Sequence, residues 1–366
     1  MKPRLLELLV CPGCSRGLKQ IVFRADGDAT IEGLLTCECG CAFPVVDGIP
    51  RFIDDALVVF SDFAKRHATR LADHATTAAV EGAGEMTADL QRTRESFGYQ
   101  WTRFSEMATD FRENFLNYIR PVDEAFFTGK LGLDVGCGFG RHIYNAAMFG
   151  AEMVGVDVSA AIDSTSRNVS HLNNVHLVQA TLYQLPFRPG TFDFTYSIGV
   201  LHHLPDPERG FRSVVSMVRP SGSVFIWVYS KSRRYVNFQL ECVRRVTTRL
   251  PKPAQTWVAF LGAALDWSLF IAPYRALATL PGVGHAVRKY ALPRVKLYSD
   301  YPFQVMWADW FDRLAAPIRY YYNSDDLAGW LTRARLEKTR ISPTGLFGWR
   351  AYGEIPDTPA VSDARL

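Results

Sequence analysis

The chain has 366 residues, room for two or three folding units at roughly 100–200 residues each. Its composition, 48% hydrophobic and 21% charged, excludes a mainly disordered or collagen-like chain. A net charge of +4 is too small for a protein that coats nucleic acid generically, so nucleic acid is not an expected partner. The opening MKPRLLELLVCPGC runs straight into cysteines, and no signal peptide is expected. No segment is expected to reach the roughly 18 uncharged apolar residues of a membrane span. The nearest, over 256–280, is interrupted by Asp266, Pro273 and Arg275. The expected location is cytoplasmic, with membrane association left open.

Five of the seven cysteines lie in the first 41 residues. Without a secretory signal, such a cluster argues for metal rather than disulfides. Cys11-Pro-Gly-Cys14 forms a knuckle in which two thiolates converge on one tetrahedral ion. Cys37 and Cys39 supply the second pair, with Cys41 as a substitute for either. Zinc suits four thiolates, and it adds folding energy that about 50 residues cannot draw from a small core. CPGC followed by LLTCECGCAFPVVDGIPRF resembles the small zinc-ribbon family typified by the activator subunit of translation-apparatus methyltransferases. The expected ribbon domain is 1–55.

The middle of the chain alternates apolar runs with helical patterns. Strands are expected over 131–135, 152–156, 175–179, 192–197 and 223–229, with helices over 141–149 and 207–218 and a helix opening at Ser159. This alternation implies an α/β fold with a doubly wound, mostly parallel sheet and ligands at the carboxyl ends of its strands. LDVGCGFGRH puts Gly136, Gly138 and Gly140 in the first strand-to-helix turn, where backbone must bend sharply and approach a ligand. Asp157 ends the next strand, where a carboxylate can accept both hydroxyls of a ribose. Arg141 stands where a dinucleotide fingerprint requires glycine, and Asp134 would repel a pyrophosphate. Asp134 instead suits a cationic ligand with an ammonium and a sulfonium.

The series LDVGCGFG, VGVDVS, VQATLYQLPF and FDFTYSIGVLHHLPDP resembles the class I S-adenosylmethionine-dependent methyltransferases. The resemblance implies a Rossmann-like sheet of seven strands and S-adenosyl-L-methionine as cofactor. Gly136, Gly138 and Gly140 would pack against its methionine part, with Asp134 beside the ammonium and Asp157 on the ribose. Thr181 and Leu182 would lie near the adenine, and Ser197 would close the floor. Relatives commonly have Asp where this chain has Thr181. His202 and His203 follow the fourth strand, and a histidine there suits proton removal at neutral pH; packing of the motif is the other reading.

Residues 56–115 read as a linker and a cofactor-covering helical segment. Within them, 67–86 look like a flexible connector, and ESFGYQWTRF crowds Phe97, Tyr99, Trp101 and Phe104 into ten residues. The methyltransferase domain is expected over 116–366, ending in a helix over 324–334 and strands over 336–342 and 347–352. Inside it, 231–322 form a helical lid inserted after the fifth strand. That insertion holds 14 Lys/Arg against 5 Asp/Glu, and 17 of the 47 aromatics, so a basic aromatic face for an anionic amphiphile or membrane is one reading. Arg244, Arg245, Arg288 and Lys289 are the cations expected to meet it. Asp309, Trp310 and Tyr320 to Tyr322 are acceptor-pocket candidates. Ser197-Ile-Gly-Val200 lacks the amide that holds a planar nitrogen, so methyl transfer to oxygen or carbon of a small or lipid- or glycan-linked molecule is favoured. Modification of RNA or a translation protein is the alternative.

Overall fold

The computed structural model describes residues 1–72, 74, 88–345 and 347–357, so most of the expected connector over 67–86 lies outside the described residues. Four strands build the N-terminal unit: β1 (Lys19–Asp26), β2 (Ala29–Thr36), β3 (Ala42–Val46) and β4 (Ile49–Phe52). Asp47 and Gly48, both at positive φ, make the tight turn between β3 and β4, the conformation that matches strand twist. The α/β part follows as β5 (Leu131–Val135), β6 (Glu152–Asp157), β7 (Val175–Ala180), β8 (Phe192–Ile198), β9 (Val218–Tyr229), β10 (Glu337–Thr344) and β11 (Gly348–Glu354). β7 is buried at every residue, as a strand covered on both faces must be. Leu133, Val135, Val154 and Val156 pack on one face of the sheet, and Met153, Phe194, Tyr196 and Phe225 on the other.

The seven expected strands are present in the order β7-β6-β5-β8-β9-β11-β10, and the strands of the ribbon extend them. The order is β1-β2-β3-β4-β7-β6-β5-β8-β9-β11-β10, one mixed sheet of eleven strands. β4 pairs in parallel with β7, setting Arg51 opposite Gln179 and Phe52 opposite Ala180. Arg51 is fully buried at this seam. It donates to Gln179 Oε1 at 3.1 Å, to the Val46 carbonyl at 3.1 Å and to Asp163 Oδ1 at 2.7 Å, and Phe60 covers its guanidinium at 4.4 Å. β7 would otherwise be an open edge, and the ribbon closes it.

Between β9 and β10 the chain runs through helices Arg234–Thr247, Lys252–Asp266, Ala272–Ala278, Gly284–Tyr290, Pro293–Ser299 and Phe303–Ala315. Asp266, Pro273 and Arg275 do not break the second of these. Pro273 has no N–H for the Leu269 carbonyl, and the turn Trp267–Ile271 widens into π-helix, so the helix runs on. The continuous 27-residue stretch Lys252–Ala278, whose most apolar 18-residue window has mean hydropathy 1.3, is long and apolar enough to cross a membrane by length and composition, which corrects the reading of 256–280. Only 28% of that window is buried. Arg244 is not a surface cation: it is buried and donates to the carbonyls of Arg313 and Ala316.

Removing the Arg51 head group leaves Gln179, Val46 and Asp163 without their donor. Arg51→Met is therefore expected to lower folding stability by about 1.5–3 kcal/mol, the cost of charged hydrogen bonds. Urea unfolding checks this, and an unchanged midpoint would show that the seam carries no load.

Candidate active site

The turn after β5 is shaped by what surrounds it. Gly136 sits at φ +85°, and a Cβ there would lie 2.3 Å from Val200 Cγ2, so only glycine fits. Its N–H donates to the Val156 carbonyl at 2.7 Å. Asp157, at the end of β6, ties three backbone and side-chain donors together. Gly138 N–H reaches its Oδ2 at 3.0 Å, while Ser159 N–H and Oγ reach its Oδ1 at 2.8 and 2.7 Å. Burial pushes this carboxyl above the ordinary aspartate range, and those donors oppose the shift. A carboxylate has about four acceptor sites. Three are taken, which leaves about one for a ligand hydroxyl rather than the expected two.

The turn opens on a cavity of about 760 Å³. Among the expected site residues, Gly136, Gly138, Asp157, Leu182 and His203 line it; Asp134, Gly140, Thr181, Ser197 and His202 do not. Ser197 Oγ instead bonds the Val135 carbonyl at 2.9 Å, and Thr181 Oγ1 accepts the Tyr183 N–H at 3.3 Å. Asp134 is buried, and among the described residues its Oδ2 has no hydrogen-bond partner. Burial, with Asp157 adding to it, pushes this carboxyl up to about 8.

Helix Ala88–Arg103 roofs the cavity with Arg94, Phe97 and Trp101. Trp101 lies over Gly138 and stacks on Phe139 at 4.9 Å between centroids. The helix is held by Ser96 Oγ and Gln100 Nε2, which bond the carbonyls of Ala315 and Ala308. Phe97 packs edge-on against His203.

The two histidines divide. His202 is fully buried, wedged between Tyr229 and His203, and among the described residues neither ring nitrogen has a hydrogen-bond partner. His203 faces the cavity. Its Nδ1 lies 2.7 Å from the Ile318 carbonyl, which only accepts, so Nδ1 carries the proton and Nε2 the lone pair. Nε2 stands 3.9 Å from Asp312 Oδ1. Burial holds the ring at about 4, against the raising effect of Asp312.

The far wall comes from the insertion, and much of it was not legible in sequence. Asp309, Trp310 and Tyr321 line the cavity; Tyr320 and Tyr322 do not. Asp312, Arg313, Arg319, Tyr298 and Tyr229 join them. The Tyr298 hydroxyl bonds Asp309 and receives Arg313 at 2.8 Å. The Tyr229 hydroxyl bonds Asp312, and the Arg319 guanidinium covers the Tyr229 ring at 4.2 Å. Arg319 Nε is buried without a partner among the described residues. The helical spacing of Asp309, Asp312 and Arg313 was the one available sequence signal, since i, i+3 and i+4 share a helix face.

Away from the cavity, the Sγ atoms of Cys11, Cys14, Cys37 and Cys39 lie within 4.8 Å of one another. Cys11 and Cys39 are 3.6 Å apart, and Cys14 and Cys37 3.3 Å. Thiolates at about 2.3 Å from one tetrahedral zinc would stand about 3.8 Å apart, so the four fit a single ion. Cys41 is buried outside the set.

Residues 133–226 match the family model for a methyltransferase domain. A ubiquinone biosynthesis O-methyltransferase of Marinobacter nauticus is 30% identical over 151 residues, 40% of this chain and 63% of that protein. An uncharacterized protein of a Synechococcus species is 35% identical over 127 residues, 31% of this chain and 30% of that one. The chain thus spans less than two thirds of either relative. A solved methyltransferase from Aquifex aeolicus aligns with 69% of this chain and 97% of its own, at 15% identity and a TM-score of 0.39.

Proposed function

We propose that this chain, whose residues 133–226 match the methyltransferase-domain family, is a class I S-adenosylmethionine-dependent methyltransferase that methylates an oxygen or carbon of a small or lipid-linked acceptor. The observation that carries the reading is a single cavity joining the Gly136–Gly138 turn and Asp157 to His203 and the Asp309–Asp312–Arg313 wall. The first side suits a nucleoside cofactor, and the second suits the polar end of an acceptor. When bound, S-adenosylmethionine supplies an electrophilic methyl group. Gly136 and Gly138 would hold its backbone-facing part, and Asp157 would accept one ribose hydroxyl. Asp134, buried behind the Gly136 turn and off the cavity wall, would act on a cationic ligand only through its field.

The chain's own part in the reaction is placement and proton removal. Phe97 and Trp101 exclude water from above. His203 Nε2 takes the acceptor proton, and Asp312 steadies the resulting imidazolium. An acceptor with a comparatively acidic proton, such as a phenol rather than an alkyl alcohol, asks least of this base. The name of the Marinobacter relative, an O-methyltransferase, agrees with that choice. His202 is a packing residue in this account.

Cys11, Cys14, Cys37 and Cys39 hold one structural zinc in the same proposal. The metal braces the ribbon whose last strand closes the β7 edge.

Asp157→Ala should weaken S-adenosylmethionine binding by about 1.5–3 kcal/mol, roughly 10- to 150-fold. Unchanged affinity by calorimetry would remove Asp157 from the cofactor site. His203→Gln should depress turnover with cofactor affinity near wild type. Because His203 takes its proton only as pH falls through about 4, wild-type kcat/KM should hold from pH 7 down to 5. An acid limb that His203→Gln leaves in place would remove this ring as the base. Purified protein should carry one zinc per chain. Cys14→Ser should release it and strip hydrogen-exchange protection from β4 and β7; full zinc retention would end the ribbon assignment.

A further inference from the structure

Of 21 large hydrophobic residues exposed among the described residues, 17 lie within 231–322. They are not scattered. Trp257, Leu261, Leu265 and Leu269 follow at four-residue steps along the Lys252–Ala278 helix, each more than half exposed. That spacing makes one stripe of a helix surface. Tyr235, Phe238 and Val246 do the same on Arg234–Thr247. A patch of this size is not left bare on a protein that meets only water.

The charges around it select the partner. Lys231, Arg234, Arg245, Arg249, Arg275, Arg288 and Lys289 are exposed in the insertion, against one exposed acid, Asp300. An apolar stripe flanked by cations matches an anionic lipid surface, with side chains in the acyl boundary and cations at headgroups. The helix lies on this surface and does not cross it. Asp266, near its middle, pairs with Arg294 and accepts the Trp310 indole N–H at 3.0 Å, which pins one side of the helix to the protein.

The cavity opens through the same patch. Val236, Leu265, Leu269, Phe270 and Leu297 are exposed and also line the cavity. Its inner wall is polar, at Asp309, Asp312, Arg313 and Arg319, while its mouth is apolar. We infer that the insertion seats the protein on an anionic membrane surface with the cavity mouth against the bilayer, so that an amphiphilic acceptor enters tail-last from the lipid. The entry step rests on the methyl-transfer reading; the docking does not.

The test is sedimentation of full-length protein with vesicles of phosphatidylcholine alone or with 30% phosphatidylglycerol, roughly the anionic share of a charged leaflet. Cofactor affinity is measured on every sample, so failure of docking and failure of the methyltransferase reading separate. Binding is expected only with phosphatidylglycerol. Neutralising Arg245, Arg288 and Lys289 together, or Trp257→Asp with Leu261→Asp, should weaken it at least tenfold, with cofactor affinity unchanged. Leu269→Asp at the mouth should also abolish binding, whereas Met148→Asp, at the exposed end of the mostly buried helix Arg141–Met148 and outside the insertion, should not. Four outcomes overturn the inference: no vesicle binding by protein that still binds cofactor, equal binding to both vesicle types, loss of binding in Met148→Asp, or a stable dimer in solution that Trp257→Asp dissociates.

Discussion

Three hydrogen bonds to one buried carboxylate hold the business end of this sheet together. Asp157 gathers Gly138 from the turn after β5 and Ser159 from the turn after β6. Two neighbouring parallel strands end side by side, and their loops would otherwise be independent. Tied together, they form one rigid rim. The positive-φ glycines let the backbone follow that rim without a side chain striking Val200 or Thr165. The cavity, its roof and its far wall are all placed relative to this tie.

The opposite wall is built on different physics. Asp309, Asp312, Arg313 and Arg319 are charged groups in a largely enclosed site, each bonded to or covered by a tyrosine. Burial of such groups is tolerable only because they neutralise one another. The same enclosure drives His203 to its neutral form. A polar lining fixed this way keeps unspent bonding capacity, visible at Arg319 Nε.

The ribbon and the insertion extend the sheet domain at two places. The ribbon adds its last strand to the β7 edge and buries Arg51 at the joint, so its four cysteines brace a strand of the main sheet. The insertion leaves after β9, at the carboxyl end where the cavity opens, and returns through Tyr322, whose N–H bonds the Tyr229 carbonyl. Helix Ala88–Arg103 links the two additions across the top through Ser96, Gln100 and the Arg94–Asp55 pair.

Local chemistry was legible in the residues themselves. Apolar runs and the 3.6-residue period marked β5 to β9 and their helices, because burial on both faces of a parallel strand demands an unbroken apolar run. The glycine turn, Asp157 and the cysteine spacing were equally plain, since backbone sterics and metal geometry act over a few residues. What only the tertiary structure decided depends on contacts between residues far apart in the chain. Nothing within four residues of Arg51 announces that it meets Asp163 across a seam joining two expected domains. Two adjacent histidines look alike in sequence, yet the Ile318 carbonyl, 115 positions from His203, orients one of them and leaves the other sealed. Pro273 reads as an interruption until a π-turn absorbs it, and whether the apolar residues of that helix pack inward or face out is open until the fold leaves them exposed. Composition sets how much apolar and basic surface the insertion carries; the packing of Asp266 against Arg294 and Trp310 decides which side of it faces out.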